Sequence, residues 1–322
     1  MNVLSLKEKV LNGYHITKEE AVTLAEKPLG ELTSAANDIR KYFCGNGFDI
    51  CTIINAKSVK CSENCKFCSQ SSFYKTPSEQ YAVCDTQTIL EQAKYNSDKG
   101  VLRYSLVTSG KRLNSDELAL MSENVKAIRK STDLNVCVSF GLLDYEQYLL
   151  LKSTGVTRIH NNLETSQRYF PQICTTHTFE DKIKSIKAAQ EVGLKVCSGG
   201  IMGLGESVED RIDLALTLRE LGILSVPVNL LNPIPGTPFE NNEILTNEDM
   251  CKIVAIYRFI LPKASIRLAG GRGLLTDKGK KCFMSGANAT ISGDMLTTAG
   301  ITIDTDMEML KELGYEVTLQ NE

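Results

Sequence analysis

The chain has 322 residues, and 36 Lys and Arg against 39 Asp and Glu give it a net charge of −3. Charges of the two signs are interspersed, which argues against a nucleic-acid or membrane surface, and no apolar run approaches the ~20 residues that span a bilayer. The 11 cysteines are an odd number that fits a disulfide scaffold poorly, so we expect thiolate chemistry in a reducing, cytoplasmic setting.

The first part of the chain is predicted to be helical and comes before any strand signal. Thr17-Lys-Glu-Glu20 has the pattern of a capping box, in which threonine and the glutamate three residues later satisfy free N–H groups at a helix start. No linker or low-complexity stretch follows. We therefore predict an N-terminal helical extension over residues 1–45, which caps a main domain over residues 46–322.

A short cysteine motif follows the first predicted strand. Cys61-Ser-Glu-Asn-Cys65-Lys-Phe-Cys68 supplies three thiolates, enough to hold three corners of a cubane [4Fe-4S] cluster and leave the fourth iron open. An open iron can chelate a small molecule through its amine and carboxylate. The spacing resembles the signature of the radical S-adenosylmethionine (SAM) enzymes. The alternative is a structural zinc loop, but no second cysteine pair or histidine lies nearby in the sequence.

From residue 100 onward a pattern repeats that is typical of βα units. An amphipathic segment ends in glycine, and a β-rich run follows at Gly100, Gly155, Gly193 and Gly222. Glycine past a helix end can adopt the left-handed conformation, and the apolar run then enters a buried parallel strand. Strands alternating with helices of this kind indicate an α/β fold.

Counting strand candidates gives eight, near Cys51–Ala56, Arg103–Thr108, Asn135–Phe140, Thr157–Asn162, Lys195–Met202, Val226–Leu231, Ala264–Leu268 and Asn288–Ser292. Eight units over about 250 residues predict a (βα)8 TIM-type barrel. An open doubly wound sheet is the rival.

Three further cysteines fall on separate predicted strands. Cys51, Cys137 and Cys197 lie on the first, third and fifth strands, and alternation allows all three to point inward. Arg267, on the seventh, would need an anionic partner inside a barrel, and a thiolate-bound cluster would supply one. We therefore favour a second iron–sulfur cluster over simple packing. The remaining cysteines are interpreted as packing or surface thiols: Cys44, Cys84, Cys174, Cys251 and Cys282.

Across nearly the whole predicted barrel the chain resembles the biotin synthases. The matching stretches, in family order, are CSENCKFCSQSSFYKT, NNLETS, KVCSGGIMGLGE, VPVNLLNPIPGTPF, IRLAGGR, CFMSGAN and MLTT. The resemblance implies a radical SAM barrel that converts dethiobiotin to biotin, with SAM activating two carbons and an auxiliary iron–sulfur cluster donating the sulfur. It also implies that Cys61, Cys65 and Cys68 hold the SAM cluster.

The resemblance assigns further residues by position. It implies SAM contacts for Phe67, Glu164 and Lys182, with glutamate in place of the family's usual aspartate and lysine in place of an arginine, which loses the bidentate fork. It implies substrate contacts for Asn162 and Asn229 at the ureido ring and for Thr297 and Thr298 at the carboxylate. His160 also stands at a usually polar position, and we expect an ordinary polar contact there more than a cluster or substrate role.

The chain departs from the family at the auxiliary cluster. Two of the three usual cysteines are present as Cys137 and Cys197, and the usual arginine as Arg267, but Ser105 replaces the cysteine of the second strand. Cys51 stands on the first strand, where serine is usual. Our hypothesis is that Cys51, Cys137 and Cys197 hold the cluster, with Arg267 as a possible fourth ligand. The residues leave open whether it is a [2Fe-2S] cluster or a four-iron type.

The chemistry also requires an external electron donor, flavodoxin or ferredoxin, and the resemblance implies a homodimer. The residues leave three alternatives. Another radical SAM enzyme of the same branch, such as a hydrogenase maturase or methylornithine synthase, should lack the inner thiols. A lipoyl-synthase-like enzyme should carry its own cysteine motif, and no C-x4-C-x5-C run is present. A non-catalytic iron–sulfur protein should bind no SAM.

Overall fold

A closed parallel barrel forms the body of the molecule. The computed structural model describes residues 2–321. Neighbouring strands pair in parallel in chain order, and the last barrel strand pairs with the first to close the ring. The strands are β1 Gly47–Lys57, β2 Arg103–Thr108, β3 Asn135–Ser139, β4 Val156–His160, β5 Lys195–Cys197, β6 Gly200–Met202, β7 Ser225–Leu230, β8 Ser265–Leu268, β9 Ala289–Ser292 and β10 Glu316–Val317. The predicted TIM-type barrel is confirmed, and the open sheet is excluded.

The fifth barrel strand is divided into β5 and β6, where the sequence predicted one strand. Only β5 pairs with β4, and both pieces pair with β7. A side chain on Gly199 would place its Cβ 2.9 Å from the carbonyl carbon of Pro227, and one on Gly200 would lie 2.8 Å from that of Glu164. The break therefore requires glycine, because two other backbone segments approach it closely.

Helices surround the barrel, and several begin at the caps that the sequence encodes. The Thr17–Glu20 capping box is formed as predicted. The four glycines predicted to end helices all have positive φ angles, between 66° and 100°. The helices are α1 Val3–Leu11, α2 Lys18–Ala25, α3 Leu29–Cys44, α4 Thr86–Asp98, α5 Ser115–Ser131, α6 Tyr145–Ser153, α7 Phe170–Ile173, α8 Phe179–Glu191, α9 Val208–Glu220, α10 Asn247–Ile260, α11 Lys280–Met284 and α12 Ile303–Glu312.

The three N-terminal helices pack on one side of the helical layer. Helix α3 contacts α10, and α2 contacts both α9 and α10. Lys18 pairs with Asp213 of α9 at 2.6 Å. At the other end of the chain, β10 was not predicted, and it pairs with Gly47 and Phe48 at the start of β1.

Candidate active site

One cavity of about 410 Å³ runs from the barrel interior to the loops after the carboxyl ends of the strands. This is the end at which barrel enzymes carry their sites. It is lined by every residue singled out from the sequence: Cys51, Cys61, Cys65, Phe67, Cys68, Cys137, His160, Asn162, Glu164, Lys182, Cys197, Asn229, Arg267, Thr297 and Thr298. Residues spread over more than 240 positions therefore share one chamber.

The cysteine motif forms a tight loop after β1. The backbone N–H of Cys61 donates to Gln70 O, and that of Ser72 donates to Cys61 O, both at 2.8 Å. These bonds fold the loop back on itself and leave the three thiols of the motif half-buried at the cavity. Burial raises the pKa of the Cys68 thiol to about 11. Metal binding here therefore displaces protons from neutral thiols.

A fourth thiol and a histidine lie beside this loop, and the sequence analysis did not predict either as part of the site. Cys174 Sγ is 3.7 Å from Cys65 Sγ and 3.3 Å from His177 Nδ1. Nδ1 of His177 is also 2.7 Å from Glu63 Oε2. Cys174 was interpreted as a packing or surface thiol. The only signal was the C-x2-H spacing of Cys174 and His177, more than a hundred residues from the motif.

Glu164 and Lys182 face each other across the upper part of the cavity. Their charged atoms are 4.0 Å apart, and their side chains are 14% and 13% exposed. Glu164 has a positive φ of 70°. Two backbone hydrogen bonds fix its position: its N–H donates to Gly199 O, and its C=O accepts from Ile201 N. Burial raises the pKa of the Glu164 carboxyl, and Lys182 only partly offsets this.

The two predicted substrate-binding asparagines have fixed orientations. Asn162 Oδ1 accepts from Gly199 N at 3.1 Å. Asn229 donates to Gly200 O at 3.0 Å and accepts from Gly270 N at 2.9 Å. Both amides are therefore aligned at the break in the fifth barrel strand. Thr297 accepts from the Ser69 hydroxyl at 3.1 Å, which connects the β9 loop to the cysteine loop.

The three inner thiols are buried in the lower part of the cavity. Arg267 Nη1 donates to Cys51 Sγ at 3.2 Å, and the Ser225 hydroxyl donates to Cys197 Sγ at 3.3 Å. Burial raises the pKa of Cys137 to about 12. Burial also opposes ionisation of Cys197, but a hydrogen bond and charge from His160, with nearby arginines, outweigh it and lower its pKa to about 6.

Arg267 also has an anionic partner that the sequence did not reveal. Asp49 Oδ1 lies 3.1 Å from Arg267 Nη2, and Asp49 Oδ2 lies 3.3 Å from Arg103 Nη2, with all three side chains buried. Burial opposes the charge of Asp49, but the arginines outweigh it and lower the carboxyl pKa. The buried guanidinium of Arg267 therefore does not by itself require a cluster.

The strand register gives the offset between Cys51 and Ser105. In the barrel, Ser105 stands opposite Cys137 on β3 and Ile53 on β1, whereas Cys51 stands opposite Arg103. Cys51 is thus one inward position, or about 6.6 Å, nearer the start of the strands than the position matching Ser105. The three inner thiols lie at a positively charged end of the cavity, which suits an anionic cluster. The three half-buried thiols of the cysteine motif suit a cluster with an open iron.

Known proteins resemble this chain over almost its full length. Residues 56–218 match the radical SAM superfamily, and residues 227–316 match the biotin and thiamin synthesis associated domain. A biotin synthase of Brachyspira hyodysenteriae is 61% identical and covers 98% of this chain and 95% of its own length. A biotin synthase of Clostridium botulinum is 53% identical, with coverages of 98% and 99%.

Solved structures share the fold at low sequence identity. A methylornithine synthase has a TM-score of 0.85 at 21% identity and covers 98% of both chains. A hydrogenase maturase from Carboxydothermus hydrogenoformans has a TM-score of 0.81 at 16% identity, covering 97% of this chain and 78% of its own. Among residues 2–321, no helix is long and apolar enough to cross a membrane. The identities to the curated relatives, and the span over which they hold, establish that the chain belongs to the biotin synthase family.

Proposed function

We propose that this chain is a radical SAM sulfurtransferase that converts dethiobiotin to biotin. The observation that carries the proposal is a single cavity lined by two separate sets of three thiols. One set lies on a loop at the mouth, where a small molecule can reach an open iron. The other lies inside the barrel on β1, β3 and β5. The membership in the biotin synthase family supports this substrate over those of the structural neighbours, whose likeness extends to the fold alone.

The mouth of the cavity holds the SAM site. Cys61, Cys65 and Cys68 hold a [4Fe-4S] cluster, and Phe67 packs beside the adenine. When bound, the clusters supply the electron that cleaves SAM to a 5′-deoxyadenosyl radical and the sulfur that enters the product. Lys182 provides a positive charge for the SAM carboxylate. Glu164, held rigidly by backbone bonds to Gly199 and Ile201, receives the ribose hydroxyls.

The middle of the cavity holds dethiobiotin. Asn162 and Asn229 direct their amides at the ureido ring, and their bonds to glycine backbone hold that orientation before the substrate arrives. Thr297 and Thr298 receive the carboxylate. His160 is a polar neighbour of Cys197, which it faces across the β4–β5 pair. The closed barrel confines the substrate between the two sets of thiols and limits side reactions with other molecules.

The inner thiols hold the auxiliary cluster. Cys51, Cys137 and Cys197 are its ligands. Arg267 donates to Asp49 O, Thr290 O and Cys51 Sγ, and its ion pair with Asp49 keeps the guanidinium charged. Because of these contacts, we favour a role for Arg267 as a positively charged neighbour of the cluster. A role as an iron ligand is less compatible with them. A [2Fe-2S] cluster and a four-iron cluster both remain compatible with three thiolates.

Four wider features complete the proposal. The chain is organised as an N-terminal helical extension, residues 1–45, and a barrel, residues 46–322. It works in the cytoplasm as a homodimer. Flavodoxin or ferredoxin supplies the electrons.

The test is an anaerobic incubation of reconstituted protein with SAM, dithionite and dethiobiotin, followed by mass spectrometry. Biotin with about two 5′-deoxyadenosines per product supports the proposal, because two C–H bonds must be broken. Deoxyadenosine without biotin would retain SAM cleavage and reject the substrate. A cluster whose spectrum does not respond to SAM would point to a non-catalytic iron–sulfur protein. A variant with alanine at Cys61, Cys65 and Cys68 is the control for background cleavage.

A further inference from the structure

We propose that Cys65, Cys174 and His177 form a mononuclear site for a divalent ion of the zinc or ferrous type. Their ligand atoms all lie within 4.8 Å of one another. Cys174 and His177 have no role in the SAM cluster proposed above. Because the site uses Cys65, the single ion and the complete SAM cluster exclude each other. This last consequence rests on the proposed function, whereas the ion site itself does not.

Two of the three ligand-to-ligand distances are close to those on one tetrahedral metal, and the third, between Cys65 and His177, is no more than 4.8 Å. Metal–sulfur bonds of about 2.3 Å place two thiolates about 3.8 Å apart, and a metal–nitrogen bond of about 2.0 Å places an imidazole nitrogen about 3.5 Å from a thiolate. The Sγ atoms of Cys65 and Cys174 are 3.7 Å apart, and Nε2 of His177 is 3.8 Å from Cys174 Sγ. In a cubane, by contrast, each cysteine binds a different iron, so the ligand sulfurs stand well apart.

His177 is oriented for this role by a carboxylate. Nδ1 of the ring donates to Glu63 Oε2 at 2.7 Å, and both side chains are buried. With the proton on Nδ1, the neutral ring presents the lone pair of Nε2. A carboxylate that holds a histidine ligand in this way is a recurrent feature of metal sites. Glu63 lies inside the cysteine motif, so the motif itself carries the orienting group.

The two loops are joined before any metal arrives. Asn64 Oδ1 accepts from the backbone N–H groups of Thr175 and Thr176, at 2.9 and 3.3 Å. Asn64 Nδ2 donates to the Thr175 hydroxyl at 2.7 Å. These bonds hold the Cys174 loop against the Cys65 loop, so ion binding requires little further ordering. Cys174 itself is 4% exposed, whereas Cys65 and His177 line the cavity. Three protein ligands leave the fourth tetrahedral position open.

The ion class follows from the donor set. Two thiolates and one imidazole favour borderline-soft ions such as Zn²⁺ and Fe²⁺, and disfavour Mg²⁺ and Ca²⁺. A zinc ion bound here removes Cys65 from the set that assembles the SAM cluster. One equivalent of Zn²⁺ is therefore expected to prevent assembly of the SAM cluster in cluster-free protein.

The test uses cluster-free, reduced, full-length protein titrated anaerobically with Co²⁺ as a spectroscopic probe. The first equivalent should give the visible absorption of a tetrahedral thiolate site. Cys174→Ala and His177→Gln should each abolish this first spectrum, and Glu63→Gln should weaken binding about 10- to 100-fold. Cys61→Ala is the matched control, because it removes a SAM-cluster ligand outside the ion site and should keep the spectrum.

A second measurement tests the exclusion. One equivalent of Zn²⁺ added before iron and sulfide should suppress the SAM-cluster absorption in the unsubstituted protein and leave it intact in Cys174→Ala. The inference is overturned if Cys174→Ala and His177→Gln retain the Co²⁺ spectrum, or if Cys61→Ala loses it as they do. Failure of the proposed function would give a different result. The unsubstituted protein would then assemble no cluster that cleaves SAM, and this outcome does not depend on the Co²⁺ titration. Circular dichroism of each variant separates ligand loss from misfolding, and two ligand variants guard against one of them failing to fold.

Discussion

Replacing Cys51 with serine should remove the auxiliary cluster and spare the SAM cluster. The SAM cluster contributes about four irons per chain and the auxiliary cluster about two or four, so the reconstituted protein should contain about six or eight and Cys51→Ser about four. The unsubstituted count thus distinguishes the two cluster types. Cleavage of SAM should persist in the variant, and biotin formation should be lost.

The fold should tolerate this change. Cys51 is 5% exposed, and serine is only slightly smaller, so little space is left in the barrel. Arg267 Nη1 loses a sulfur acceptor but keeps Thr290 O at 2.9 Å and Asp49 O at 3.2 Å. The guanidinium is therefore not left without partners, and the cluster-free protein should lose no more than about 1 kcal/mol of unfolding free energy. A loss of iron in Cys51→Ser would then not be an effect of unfolding.

The assay combines iron and sulfide analysis, EPR and quantified deoxyadenosine. Cys137→Ser should reproduce the Cys51→Ser result, because both would be ligands of the same cluster. Cys84→Ser is the matched control, since Cys84 contacts Asn55 O outside the cavity lining and should leave the iron count unchanged. If Cys51→Ser keeps the full iron count while Cys137→Ser loses it, the transfer of a ligand to β1 is wrong.

Three further predictions concern the fold around the site. Asp49→Asn should destabilise the cluster-free protein by about 3–5 kcal/mol, measured by urea unfolding, because it removes the charge between two buried arginines. Asp210→Asn should cost about 1–2 kcal/mol at pH 7. Burial opposes the Asp210 charge, but hydrogen bonds from an arginine and two serines lower the pKa of its carboxyl group. The stabilisation by the charged carboxylate is therefore complete above the ordinary carboxyl pKa and is lost as the pH falls through the lowered pKa. The unfolding free energies of the variant and the parent protein should accordingly converge in acid. Gly200→Ala should lower the free energy of unfolding by about 1–3 kcal/mol and weaken SAM binding in calorimetry, because the added Cβ meets the Glu164 backbone. Gly30→Ala is the control, since open space surrounds that position, and it should be neutral or stabilising.

The elements that could be predicted are those encoded locally. Helix starts such as Thr17–Glu20 follow from side chains that bond within one turn. Strand β2 has the predicted bounds Arg103–Thr108, because a glycine and an apolar run mark its start. The inward face of each strand follows from alternation, so the sequence alone predicts that the thiols of β1, β3 and β5 share one chamber.

The features that escaped prediction depend on partners far away in the chain. The break after β5 reflects the approach of Pro227 and Glu164 to a glycine pair. Strand β10 is two residues long and takes its geometry from β1. The sequence around Asp49 does not indicate an ion pair, because its partner Arg267 lies on the distant strand β8. The same holds for Cys174, whose neighbour Cys65 is separated from it by more than a hundred residues.

The barrel geometry is compatible with the proposed change of a cluster ligand from β2 to β1. All inward positions of a closed barrel face the same interior, so a thiol moved from β2 to β1, and one position lower, still points at Cys137 and Cys197. Arg267 reaches the lower position at 3.2 Å, and Asp49 anchors the far side of its guanidinium. What the fold preserves is therefore a positively charged chamber with three thiols. If Cys51 is a ligand as proposed, one ligand of the auxiliary cluster comes from a deeper position than Ser105, and the distance from the cluster to the substrate should change accordingly.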